Sequence, residues 1–387
     1  MLRSARSLAL LLLAACEASE PEGEGSPASQ AAAWEFATTP DFLAPGGVVD
    51  GDSIHFFGIS GGEFLSDGNA VVVLGRRQNR LVVLDPGGQV VRVLGGLGDG
   101  PEEFPSVPTI LRSGGRLVVL DRSRRRYREL EEGLSEPRAY ERGAGQLELG
   151  LYEDGAVIAG LERYPTAREA YVQRQVTTPY YLWTDQSVDT LVGPSSPPAP
   201  GFVVGQLPNG NVMSVVLPGQ CLPVNLYAFA DSTLLIADAS TGVLMSLSRT
   251  GAIDTLYQTQ DARGVVTQAM VDGARRLAAN DSLVSPEYRG SFLESVGEPG
   301  DPLRSFWSGV LWDGRLLWLR RAGPCLFGAE NVEPSLWDVI DVESRSRVAV
   351  VEMPAALRLL AVASDRVLAV TRDALDIDRV GVYRINR

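Results

Sequence analysis

Short apolar runs that alternate with turns predict an all-β protein, specifically a six-bladed β-propeller with a short helical insertion. From Phe56 onward, runs such as AVVVL (70–74) and LVVL (81–84) follow one another too closely for helices to fit between them. A turn followed by an apolar strand then recurs six times, beginning at Ser66, Ser113, Glu153, Ala230, Trp312 and Ala363. Repeats of roughly 40 to 50 residues are typical of propeller blades with four strands each.

The number of blades has one alternative. The turn 208–211 (PNGN) lies between the apolar runs 202–204 and 212–216, and it begins either an inserted hairpin or a seventh blade. The last repeat offers three strands, so we expect residues 33–38 to supply its fourth strand and cover its edge. The propeller domain is therefore predicted to span residues 33–387 and to be closed by an N-terminal strand.

The first fifteen residues have the features of a secretory signal. Arg3 and Arg6 precede an apolar run at 8–13, which is much shorter than the roughly 20 residues that cross a bilayer. The following LAAC resembles the bacterial lipobox, which implies removal of residues 1–15 and a lipid on Cys16. An ordinary signal with a coincidental cysteine is the alternative. Residues 16–32, acidic and rich in Pro, Gly and Ser, are predicted to be a flexible tether. We therefore expect a lipid-anchored protein of the bacterial cell envelope, facing the periplasm or the exterior.

Composition excludes several function classes. Loss of Arg3 and Arg6 with the signal takes the formal charge from −13 to −15, so nucleic acid, which is bound by neutralising phosphates, is not an expected partner. All 35 basic residues are arginine, which excludes a Schiff-base lysine and a phosphate-loop lysine. His55 is the one histidine, so multi-histidine zinc sites are excluded as well. We expect a monomer.

Two cysteines, Cys221 and Cys325, remain once Cys16 carries lipid. In an oxidising compartment an even remainder predicts one disulfide. The strand pattern places Cys221 in the link that enters the fourth blade and Cys325 in a second-to-third-strand loop of the fifth. Links and such loops emerge on one face of a propeller, so the two cysteines are expected to be neighbours. Two separate buried thiols are the alternative.

The stretch GGLGDGPEEF (95–104) is glycine-rich but does not resemble a phosphate cradle. A dinucleotide fingerprint requires a helix after its glycines, and none is indicated here. Glu102 and Glu103 would also repel a phosphate. We therefore predict a crossover between blades, in which the glycines permit tight turns and Phe104 packs between neighbouring blades.

Two segments resemble a known family. GDGPEEF (98–104) resembles the GxGPGEF crossover of NHL-type and related six-bladed propellers, and NRLVVLDPGG (79–88) is similar to their NRIxVFDxxG strand and turn. Glu102 replaces the usual glycine, and residues 124–127 are a loose version of the second NR motif. The resemblance covers residues 56–130. It implies the fold and leaves the function open, because this scaffold serves binding modules and enzymes alike.

Catalytic and calcium-binding patterns are incomplete. Ser60 lies in a G-x-S-x-G pattern, but a nucleophile elbow requires a helix after it and a histidine further along the chain, whereas His55 lies upstream. The sequence 50–52 (DGD) begins like a calcium loop, yet His55 and Gly61 stand where glycine and glutamate are required. A turn is the favoured interpretation.

The basic cluster 122–128 (RSRRRYR) has two interpretations. It could contact anionic lipid or glycan, but a solvated outer strand paired with Glu129, Glu131 and Glu132 is favoured. The tryptophans are predicted to pack between blades: Trp34, Trp183, Trp307, Trp312, Trp318 and Trp337.

The positions of the insertions predict which face of the propeller binds a partner. Residues 163–170, 193–223, 258–302 and 321–333 fall in links or second-to-third-strand loops, all on one face. A helix at Thr267–Ala279 is predicted to pack over that face. Because no catalytic constellation is visible, we favour a non-catalytic binding module for a protein, peptide or glycan, with no cofactor. The alternative is a calcium-dependent hydrolase of the lactonase type, with Asp, Glu and Asn in a central tunnel.

Overall fold

The structure is a computed structural model, which describes residues 31–44, 46–49, 52–75, 78–113, 115–130, 133–140, 146–161, 176–184, 187–196, 202–206, 212–216, 225–230, 232–279, 289–290, 293, 297–303, 306–322, 334–355, 357–372 and 377–387.

Most described strands pair in antiparallel sheets of four. The N-terminal strands are β1 (Ala32–Phe36), β2 (Phe42–Ala44), β3 (Gly47–Val49) and β4 (Asp52–Ile54). The first unit contains β5 (Ile59–Phe64), β6 (Ala70–Leu74), β7 (Arg80–Leu84) and β8 (Val90–Gly95). The second contains β9 (Thr109–Ser113), β10 (Arg116–Asp121), β11 (Arg126–Leu130) and β12 (Arg138–Ala139). The third contains β13 (Gln146–Leu151), β14 (Val157–Leu161), β15 (Val176–Trp183) and β16 (Val188–Ser196).

A two-stranded sheet follows, formed by β17 (Phe202–Gln206) and β18 (Val212–Val216). The fourth unit contains β19 (Asn225–Ala230), β20 (Thr233–Asp238), β21 (Val243–Ser248) and β22 (Ile253–Gln258). Helix α1 (Gln268–Ala278) precedes the fifth unit, which contains β23 (Trp307–Trp312), β24 (Leu316–Arg321), β25 (Ser335–Asp341) and β26 (Ser346–Met353). The sixth contains β27 (Arg358–Ala363), β28 (Arg366–Arg372) and β29 (Asp378–Asn386).

The first strands of the six units form a closed cycle of contacts. β5 contacts β9, and the contacts continue through β13, β19, β23 and β27 back to β5. Four-stranded antiparallel sheets in this arrangement make a β-propeller, and the predicted fold class is confirmed. The blade number stays a prediction, because β17 and β18 pair with each other between the third and fourth units.

The second strands of the units are buried on both faces because each unit lies between two others. In β6, all five residues of AVVVL are buried. Val71 and Val73 pack with Leu117 of the second unit, whereas Val72 and Leu74 pack with residues of the sixth. The two-residue period of a strand thus divides one apolar run between two inter-unit cores.

The N-terminal segment covers the edge of the last unit with two strands, where the sequence predicted one. β1 pairs in parallel with β26 through Ala32–Trp34, and then antiparallel with β29 through Glu35 and Phe36. β2 pairs with β29 through Phe42–Ala44. The expected segment 33–38 is therefore shared between the fifth and sixth units, and β2 provides the longer pairing with β29.

The glycine-rich stretch is a link between the first two units, as expected. Phe104 is 3% exposed and packs with Val83 of the first unit and Leu117 of the second. Gly95 has a φ of +78°, a backbone conformation that glycine adopts without steric cost.

The expected pairing of the basic cluster with Glu129 is wrong. Arg124 donates to the Glu103 carbonyl (2.6 Å), and Arg128 donates to the Pro101 carbonyl, so both hold the preceding link. Glu129 instead pairs with Arg116 at 2.6 Å. Residues 126–130 form the third strand of their unit, from which a long side chain reaches the neighbouring link; Glu131 and Glu132 lie outside the described residues.

Helix α1 agrees with the predicted helix to within one residue at each end. The Thr267 hydroxyl accepts the amide of Met270 (3.3 Å) at the N-terminus. Met270 and Val271 are buried against Val266 and Leu303, which belong to the same insertion. In the part of the chain that the structure describes, no helix is both long enough and apolar enough to cross a membrane.

Candidate functional site: the central channel

A channel of about 520 Å³ lies among the first strands of the units. Its wall is formed by Ser60, Gly61, Gly62, Glu63, Val73, Val107, Pro108, Thr109, Ile110, Leu111, Arg112, Arg122, Leu149, Tyr227, Ala228, Phe229, Val310, Leu311, Trp312 and Leu360. All six units contribute, because the inward strand of every unit faces the centre. Trp312 lines the channel and also packs against the core shared by the fourth and fifth units, and Trp307, Trp318 and Trp337 are buried in packing as expected.

The two ends of the channel differ. We call the end at which each first strand begins the link face, since links between units and second-to-third-strand loops emerge there. The opposite end, with the first-to-second-strand turns, is the turn face. Ser60 and Thr109 stand at the start of β5 and β9, toward the link face, whereas Glu63 and Arg112 stand near the strand ends.

One ion pair spans the channel wall near the turn face. Arg112 Nη2 lies 3.0 Å from Glu63 Oε1 and also donates to the Phe64 carbonyl at 3.1 Å. The same carboxylate oxygen accepts the Phe64 amide at 2.9 Å. Burial raises the pKa of Glu63 above its ordinary value, while Arg112 acts in the opposite direction. The carboxylate is thereby held by two partners, the Phe64 amide of its own unit and Arg112 of the neighbouring unit.

A second ion pair joins the second and third units. Arg122, which lines the channel, places its Nε 3.1 Å from Oε2 of Glu148, which is 2% exposed. The Tyr140 hydroxyl donates to the other carboxylate oxygen at 2.7 Å. Both channel arginines therefore have carboxylate partners.

The rest of the channel wall consists of apolar side chains and hydroxyl groups. Ile110, Val310 and Phe229 provide apolar surface, and Ser60, Thr109 and Tyr227 provide hydroxyls. Such a surface binds a ligand by burial and a few oriented hydrogen bonds.

The residues singled out from the sequence do not assemble into a catalytic group. Ser60 lines the channel with its hydroxyl 3.4 Å from the Val73 carbonyl, whereas His55 is exposed in the segment before β5. Ser60 lies within strand β5, so the strand-to-helix turn of an elbow is not formed. Asp50 and Gly51 lie outside the described residues. Within those that are described, no three His, Cys, Asp or Glu side chains are grouped so as to hold a metal ion.

Several other predictions fall outside the described residues. They include Cys16, Cys221, Cys325, the insertion 163–170 and all but the first two residues of 321–333. Of the insertion 193–223, the structure describes the end of β16 and the hairpin of β17 and β18.

Several exposed apolar side chains lie in the segments that connect sheets at the link face. Among the described residues, Leu97, Val107 and Val265 are exposed in links between units, and Phe57 is exposed in the segment that leads from β4 into the first unit. Val107 also lines the channel. Leu43, Val91, Val188 and Ile253 are exposed on outer strands, where single apolar residues are common. The sequence analysis overlooked Phe57 and Leu97, although both stand next to turn residues in connecting segments.

No family model matches the sequence, and no curated protein matches it either. A solved structure of a DUF4221 family member from Bacteroides vulgatus is similar, with a TM-score of 0.50 at 10% identity over 92% of this chain and 98% of that one. A Bacteroides fragilis protein named as a candidate exported protein gives 0.48 at 10% identity over 89% and 95%. A calcium-binding regucalcin from Agrobacterium tumefaciens gives 0.38 at 14% identity over 92% and 97%. Identities this low concern the fold alone.

Proposed function

We propose that this chain is a lipid-anchored binding module of the bacterial cell envelope, which holds a protein, peptide or glycan at its link face without converting it. The observation that carries the proposal is the set of exposed apolar side chains in the segments between sheets at the link face, of which Val107 also lines the channel. Exposed apolar side chains in connecting segments would supply the surface that such a partner contacts.

The channel chemistry favours binding over catalysis. Glu63 is held by Arg112 and by the Phe64 amide, and Ser60 has no described histidine beside it. A calcium-dependent hydrolase would need several carboxylate or amide oxygens at the centre, and the described wall contributes one carboxylate, Glu63. The hydrolase therefore remains the less supported alternative.

The contact cycle of the first strands supports six blades for this module. In that interpretation, β17 and β18 form an inserted hairpin, in accord with their pairing only to each other among the described strands. The similarity of residues 79–88 and 98–104 to NHL-type propellers also favours six.

Cell-envelope anchoring rests on the signal-like residues 1–15, on Cys16 and on the tether. Mass spectrometry of the N-terminal peptide tests this part of the proposal. We expect a lipid-modified Cys16 as the first residue, and an unmodified cysteine or a cleavage site elsewhere would contradict it.

We also propose a disulfide between Cys221 and Cys325. Alkylation of the folded, envelope-expressed protein should label neither thiol without reductant and both after reduction. Labelling of both thiols without reductant would show that they are free.

The binding site is tested with charge substitutions. Residues 31–387 are immobilised, partners from envelope extract are identified, and affinity is measured again with the purified partner. Phe57→Glu combined with Leu97→Glu should weaken binding at least about tenfold, because a charge replaces buried apolar contact. The matched control is Val91→Glu with Val188→Glu, which places the same charges on outer strands. Equal affinities for the link-face variant and the wild type would place the site elsewhere.

The insertion provides a second test. Val266, Met270 and Leu303 pack mainly with one another, so residues 264–303 can be replaced by a short Gly/Ser linker. Asp261 must stay, because it pairs with Arg321 and Arg347. We expect cooperative thermal unfolding to persist and partner affinity to fall; a trimmed protein that binds normally would exclude the insertion from the site.

A further inference from the structure

A second cavity, of about 390 Å³, opens at the turn face between the first and second units. The end of β5 and the turn after it form one side, and the beginning of β10 with the end of β11 forms another. Three arginines line it, Arg92, Arg112 and Arg116, against one acidic residue, Asp67. A basic cavity is unexpected in a chain with a net charge of −13.

Two of these arginines hold buried donors without acceptors. Arg92 lies on β8, and its Nη1 is buried without a hydrogen-bond partner. The Nε of Arg112 is also buried and unbonded, although Nη2 of the same side chain serves Glu63 and Phe64. Buried donors are nearly always paired in folded proteins, because leaving one unpaired costs its full desolvation. An acceptor bound in this cavity could pair with these donors, since both arginines line it.

The charge balance leaves one cation uncompensated. Arg112 pairs with Glu63, and Arg116 pairs with Glu129. The Asp67 carboxylate is held within its own turn, where it accepts the Asn69 amide (2.9 Å) and side-chain amide (2.8 Å). Among the described residues, Arg92 has no carboxylate partner. The cavity therefore suits an anion with a single charge.

We propose that this cavity binds a carboxylate-bearing ligand, with Arg92 and the Nε of Arg112 donating to the carboxylate. A guanidinium presents planar paired donors that match the two oxygens of a carboxylate. A phosphate dianion would bring one charge more than the cavity compensates. The site does not depend on partner binding at the link face, since it opens at the opposite end of the units.

The proposal is tested with benzoate as the probe, using saturation-transfer NMR on residues 31–387. Benzoate should bind, benzyl alcohol should not, and phenyl phosphate should bind more weakly than benzoate. Arg92→Gln should weaken benzoate binding at least about tenfold, as expected for loss of a charge-assisted hydrogen bond. Arg276→Gln, which removes an exposed arginine of α1, is the matched control and should bind like the wild type.

A second variant tests the proposal in case Arg92→Gln fails to fold. Ser66 is exposed at the cavity lip, so Ser66→Glu leaves the core intact and places a competing carboxylate beside the arginines. It should also weaken benzoate binding. Binding that is unchanged in both variants, or that tracks phenyl phosphate instead of benzoate, would overturn the proposal. Glu131 and Glu132 lie outside the described residues; if benzoate binds only after both are replaced by Gln, the cavity is an internal ion-pair site and the proposal is wrong.

Discussion

Asn79 donates its side-chain amide to the Phe104 carbonyl at 3.0 Å. The bond ties a turn within the first unit to the link that leaves that unit. Asn79 is 3% exposed and has a φ of +48°, a conformation that asparagine tolerates better than most residues. The two segments that resemble NHL-type propellers are therefore parts of one local structure, although 25 residues separate these two positions.

Two replacements of Asn79 should separate its hydrogen bond to Phe104 from its tolerance of a positive φ. Asn79→Gly keeps the positive φ accessible and loses the amide, so we expect a loss of about 1 to 2 kcal/mol in the free energy of unfolding. Asn79→Ala should lose about 1 kcal/mol more, because alanine is disfavoured at that φ. Denaturant unfolding measures both, with Asn69→Ala in an exposed turn as the control. Equal stabilities of wild type and Asn79→Gly would show that the hydrogen bond contributes nothing.

Adjacent glycines in the same link should differ in their tolerance of alanine. A Cβ on Gly95 would lie 2.4 Å from the Phe104 ring, at a φ of +78°. A Cβ on Gly96 would meet no atom within 4 Å. Gly95→Ala should therefore destabilise the protein by at least about 2 kcal/mol, and Gly96→Ala by less than about 0.5 kcal/mol. Thermal unfolding of the two variants measures the difference, and similar melting temperatures would contradict this packing of Phe104.

The sequence predicted features that depend on local patterns. Short apolar runs between turns, such as 70–74, indicate strands, and the glycines before Phe104 indicate a link. The sequence did not predict which residues of other units a side chain contacts, because local spacing does not show how the units are arranged in the ring. Arg124 was therefore expected beside nearby glutamates, but it donates to the link of the preceding unit. Arg92 carried no sequence signal at all, since its significance lies in the absence of an acceptor around Nη1.

A buried carboxylate network should stabilise the fifth unit. Asp338, 3% exposed, lies 2.7 Å from Arg321 and 3.3 Å from Arg347. Asp338→Asn leaves these guanidinium groups undercompensated, so we expect a loss of about 3 kcal/mol in unfolding free energy. The control is Asp254→Asn, whose exposed pair with Arg345 should be worth less than about 1 kcal/mol. Equal losses in the two variants would show that burial does not strengthen the network.

Asp261 should contribute to acid sensitivity. A hydrogen bond from Arg347 holds the pKa of Asp261 below its ordinary value of 3.8, burial opposes this, and the charge of Arg321 adds to it. A carboxyl whose pKa is lower in the folded state stabilises the protein above 3.8, and this contribution is lost as the pH falls through the folded pKa. Asp261→Asn should therefore be less stable than wild type at neutral pH, with the difference shrinking below pH 3.8. Denaturant unfolding across this range measures it. Arg347→Gln should shrink the same difference, and a gap that stays constant with pH in both variants would contradict the assignment.

The pairing of Glu35 with Asn386 has a consequence for the order of events during synthesis. β1 finds part of its partner in β29, which is synthesised after all six units have begun, so the ring cannot close until β29 has been made. Until then, the third strand of each completed unit can find its neighbours locally, but the inner strand β5 lacks β27 on one side. An incomplete chain would therefore expose the apolar side of β6 that packs on the sixth unit, and such chains are the species most prone to aggregate or to be degraded.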